Sequence, residues 1–89
     1  MFRTGDLVQV TSASGSIVAT IKRCCKPEEV RELPIPASML TDQGVDQVAM
    51  LRYEHPEHGP LAFAAVHLFG RWETIHGREI EISLLGPAN

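Results

Sequence analysis

Eighty-nine residues, 44% hydrophobic and 21% charged, with a formal net charge of −3, fit one small globular domain and leave no room for two. This balance excludes intrinsic disorder, and no apolar run approaches the ~20 residues of a membrane-spanning helix. Met1 to Val10 carries Arg3 and Asp6 where a signal peptide would have an apolar core. A chain this short buries only about 60–65% of its unfolded surface, so its own core is thin and a partner surface is expected.

Period-two alternation dominates the sequence. Leu7 to Thr11 is expected as a first strand with Val8 and Val10 on one face. Small turn formers follow, and Ser16 to Cys24 alternates again, with Ile17, Ala19 and Ile21 on one side. The two runs predict a hairpin with Ser14-Gly15 near its tip. Pro27-Glu28-Glu29 has the proline and acids of a helix start, which Pro34 cuts short. Leu33 to Pro36 is extended, and Ala37 to Gly44 is a second helical turn stopped by its glycine. Residues 25–46 therefore form an irregular connection, long for so small a domain.

Gln47 to Glu54 is the third expected strand, with Val48 and Met50 on one face and Ala49, Leu51 and Tyr53 on the other. A turn with two prolines and a glycine, His55 to Pro60, leads into Leu61 to Phe69. This fourth strand is apolar on both faces, as a central or interface strand is. Gly70 to Gly77 reads as a turn-rich connection anchored by Ile75. Glu79 to Leu85 is the fifth strand, with Ile80, Ile82 and Leu84 inward. The fold class is all-β and mainly antiparallel: a small barrel or half-open five-stranded sheet with one or two short helical turns, a single domain over residues 1–89.

The opening Gly5-Asp-Leu-Val-Gln-Val-Thr11 resembles the first strand of SH3-like barrels, in which a Gly-Asp pair precedes a Val-x-Val strand. The resemblance covers about seven residues and implies a fold, with no functional residue carried over.

Residue chemistry offers three readings of function. The first is a non-catalytic binding or accessory module that associates with itself or with another protein, through Leu33, Ile35, Met39, Leu40, Phe63, Val66 and Phe69. The second is a nucleic-acid-binding regulator using Lys22, Arg23 and Lys26 with Arg71 beside Trp72. Charge weighs against it. Residues 1–26 hold Arg3, Lys22, Arg23 and Lys26 against Asp6, a net of +3, but four arginines against ten acids leave the remainder at −6. The third is a metal or small-molecule site at His55, His58 or His67, since imidazoles around a turn can converge on an ion. Glu79 and Glu81 share one strand face turned to water.

No nucleophile elbow, phosphate-cradling glycine loop or zinc motif is present, so no catalytic residue and no cofactor is expected. Cys24 and Cys25 are neighbours and cannot form a relaxed structural disulfide. They are expected as two reduced thiols pointing to opposite faces, which implies a cytoplasmic location without membrane contact.

Overall fold

The alternating runs pair with their chain neighbours. In the computed structural model, which describes residues 2–87, six antiparallel strands follow one another in chain order and close into a barrel. They are β1 (Leu7–Ser12), β2 (Gly15–Cys25), β3 (Val45–His55), β4 (Gly59–Leu68), β5 (Arg71–Thr74) and β6 (Glu79–Gly86). β6 returns to pair with β1, Val10 lying opposite Ile82. Between β2 and β3 lie a 3-10 turn, Pro27–Glu29, and a short helix, α1 (Ala37–Asp42). No helix among the described residues is long and apolar enough to cross a membrane.

The strand count departs from the expected five. Gly70 to Gly77 contains β5, whose Arg71–Thr74 pairs with Leu68, His67, Val66 and Ala65. Two glycines make the segment look like a turn. What holds it extended is the open edge of β4, which requires hydrogen-bond partners where both faces are apolar. Thr74 then accepts from the backbone of Gly77 and donates to Arg78, and the chain reverses into β6 after only four residues of β5.

Two hydrophobic layers result. Inside the barrel lie Val8, Val10, Ala19, Ile21, Ala49, Leu51, Ala65 and Ile80, all under a tenth exposed. Outside it, Val48 and Val66 are buried beneath Val30, Leu40 and Val45, with Leu33 and Ile35 packed alongside. The long connection thus folds back over β3 and β4 and covers their outer faces. The double apolarity of the fourth strand is spent within the chain: Ala65 points in and Val66 out, both buried. β3 has the same character from Val48 to Leu51.

The N-terminal segment is stitched to β2. Gly5 N donates to Ile21 O at 2.7 Å, and Ile21 N donates back to Asp6 O at 2.9 Å. The Asp6 carboxylate, buried, accepts from Arg3 N at 2.7 Å. Leu84, expected inward, is about half exposed at the barrel end.

A six-stranded barrel is narrow, and it is filled partly by alanine where strands face each other, as at the paired Ala49 and Ala65. Ala65→Leu adds volume the interior cannot take and is expected to cost about 1–3 kcal/mol in urea unfolding. Ala62→Leu, on the same strand but exposed, is expected to stay within about 0.5 kcal/mol of the parent.

Candidate functional site

The turns β1–β2, β3–β4 and β5–β6 share one end of the barrel. The β4–β5 turn and the β2–β3 connection share the other. At that second end the chain breaks a local rule. Leu68 pairs with Arg71, so only Phe69 and Gly70 form the β4–β5 loop. Both take positive φ, 50° and 77°. Two-residue hairpin loops of this sort favour Asn-Gly or Gly-Gly, because a Cβ at positive φ meets the backbone. A bulky aromatic residue there is an outlier. Among the described residues Phe69 is also the most exposed of the large hydrophobics, at 77%.

The ring has a seat. Gly44, at φ 91°, ends α1 in the left-handed conformation that such a cap requires. A Cβ built on Gly44 would lie 2.8 Å from the Phe69 Cζ, so the bare glycine makes room for the edge of the ring. Met39, on α1, is half exposed.

Of the residues singled out for an interface, Phe69 and Met39 are exposed. Leu40 and Val66 are buried in the outer layer, and Leu33 and Ile35 pack against it. Phe63 packs against the inner core and meets Tyr53 edge-on at 5.8 Å. Sequence alternation placed Phe69 on a strand face and gave Gly44 no role beyond a helix stop. The readable signal was the Phe-Gly pair itself, at a point where the loop has only two residues.

The basic residues do not gather into one surface. Arg23 donates to Glu29 O at 2.8 Å and to Glu32 at 3.2 Å. Its guanidinium is held further above its ordinary pKa, first by a hydrogen bond with Cys25. Arg71 is paired with Glu73 at 2.7 Å. Trp72 is turned to the barrel interior, with Phe2 at 6.0 Å and His67 at 5.0 Å between ring centroids. Lys22 and Lys26 are exposed.

The histidines have local tasks. His55 Nδ1 accepts from the backbone of Glu57 at 3.1 Å and of His58 at 3.2 Å, which fixes the β3–β4 turn. The His55 and His58 rings lie 4.6 Å apart. Among the described residues no group of three or more His, Cys, Asp or Glu side chains is placed to hold a metal ion. His67 Nδ1 lies 2.7 Å from Asp46 at the mouth of the second end. His76, Glu79 and Glu81 are exposed.

The neighbouring thiols divide between the layers. Cys24 packs against the inner core and Cys25 against the outer. Cys24 lies 3.7 Å from Gln47 Oε1. Burial pushes the Cys24 thiol above its ordinary pKa, and the neighbouring Cys25 adds to the shift. Less thiolate is then present at pH 8, so Cys24 is expected to alkylate with iodoacetamide more slowly than an unfolded cysteine peptide. Peptide mapping of a timed reaction measures this, and parity between the two after folding is verified would contradict it. Gly44→Ala carries positive-φ strain of about 1 kcal/mol and displaces the Phe69 ring. Its melting temperature is expected to fall by about 4–8 °C, read by circular dichroism.

Comparison with known proteins adds no identity: no family model matches the chain, and no curated protein and no solved structure is significantly similar to it.

Proposed function

We propose that the chain is a non-catalytic binding module that acts through protein–protein association, with Phe69 as its anchor. The observation that carries this reading is the cost accepted at one position. An L-residue in the left-handed region costs roughly 1–2 kcal/mol, which is a large part of the stability of so small a domain. Burial does not repay it, because Phe69 as a residue is 77% exposed. Strain kept at an exposed aromatic is what a contact made with another molecule would explain. Buried aromatic anchors dominate many interfaces, and the Gly44 seat limits the ring's freedom before binding, which lowers the entropy lost on association.

The likeness of Gly5 to Thr11 to SH3-like barrels joins this reading as a likeness of fold. Two free, partly buried thiols support action in the cytoplasm. The partner is a second copy or a different protein, and one experiment addresses both. Phe69→Asn suits the turn and loses little burial. Its unfolding free energy is expected to rise by about 1 kcal/mol. At the same time, self-association in sedimentation velocity, or capture of a protein from the native host's lysate, is expected to disappear. Association unchanged in a correctly folded Phe69→Asn variant would remove Phe69 from the interface.

A further inference from the structure

At the opposite end of the barrel the wall is incomplete. β3 and β4 pair along their full length, from Val45–Leu68 to His55–Gly59. Their other neighbours are shorter. β2 reaches β3 only as far as Thr20–Arg52, and β5 reaches β4 only as far as Thr74–Ala65. The outer part of the β3–β4 hairpin therefore projects past the closed barrel with an open edge on each side. On the β4 side, Gly59 to Ala64 has no strand partner but β3 among the described residues. The Thr74–Arg78 turn ends β5 at this level and leaves its place in the sheet vacant.

The two open edges differ in chemistry. The one on the β2–β3 side is bordered by Lys22, Arg52 and Glu54, beside the apolar Leu7, Ile17 and Val18. Charges of this sort are the usual protection of an edge strand against another chain. The β4 edge reads Pro60-Leu-Ala-Phe-Ala64, without a charge. Only Pro60, which lacks an N–H, limits it, and this at the outermost position. Beside it lies a cleft of about 1060 Å³, near the upper size of ligand sites. Its lining includes Tyr53, Phe63, Ile17 and Ile80, and its far wall is the β1–β2 turn.

The geometry points to a docking site for an extended peptide that adds a strand to β4, in line beyond β5. The edge offers alternate backbone N–H and C=O groups, and only an extended chain can pair with such a row. Every second side chain of that peptide would face Phe63 and Tyr53, which favours alternating apolar residues. Charge narrows the occupant further. Arg78 and Glu79 both line the cleft; Glu79 lies in the field of Arg71, whereas Arg78 makes no ion pair among the described residues and is left to a partner's charge. The peptide therefore carries a carboxylate next to Arg78. A second copy is a poorer occupant, because its own β4 edge lies within the same walled cleft. This site is independent of Phe69, which lies at the other end.

The test uses the full chain, labelled with nitrogen-15, and a synthetic eight-residue peptide of alternating valine and threonine with one terminal glutamate. Amide shifts are expected at Leu61 to Ala64 and around Arg78. N-methylation of one alternate set of peptide amides should weaken binding at least tenfold, and of the other set hardly at all, since only one set faces β4. Arg78→Glu should weaken binding severalfold, with recovery when the probe's glutamate is exchanged for lysine. Shifts confined to other residues, equal tolerance of both methylated sets, or no binding at about 1 mM peptide overturns the proposal. Shifts at Leu61 to Ala64 that grow with protein concentration alone also overturn it, in favour of a second copy on the edge.

Discussion

From Val48 to Leu51, β3 is covered on both faces, and the rest of the molecule is arranged around that fact. Val48, Ala49 and Leu51 have no measurable exposure, although successive side chains on a strand point opposite ways. One layer cannot cover both. The barrel closes over Ala49 and Leu51, and the Lys26–Gly44 connection folds over Val48. The connection that looked long for a small domain is thus the second half of the core. It gives a chain of 89 residues two packed layers in place of one thin one.

The outer faces of β3 and β4 are occupied by the chain itself, while Leu7, Val18, Leu84 and Leu85 stay exposed on β1, β2 and β6. The two ends of the barrel carry features of another kind. One end carries a strained aromatic residue, and the other an uncharged, unpaired strand edge over an aromatic-lined cleft. Both depart from the rules that make small β proteins stable and solitary. A turn prefers Asn or Gly, and an edge prefers charge.

Strand identity was legible in the sequence because alternation and turn residues agree, as in Val8 and Val10 or across the His55–Pro60 turn. The pairing partner of Leu61–Phe69 was not. Whether a strand apolar on both faces meets another chain or its own connection depends on the path of some twenty residues without periodicity. β5 escaped for a related reason: four residues between glycines carry too little pattern, and their extension is imposed by the edge of β4. The exposed aromatic residue was hidden differently. Phe69 continues the apolar alternation of β4, and only the register, Leu68 against Arg71, shows that it has left the strand. Leu33, Ile35, Leu40 and Val66 had the right character for an interface and found it inside the chain.

Cys24 and Cys25, one bond apart in the chain, belong to different layers. A barrel that closes before its connection docks would protect the first thiol while the second stays open to reagent. The reverse order would leave the opposite trace. The same dipeptide therefore acts as a two-channel clock for the order in which the layers assemble, built into the native sequence without any engineered label.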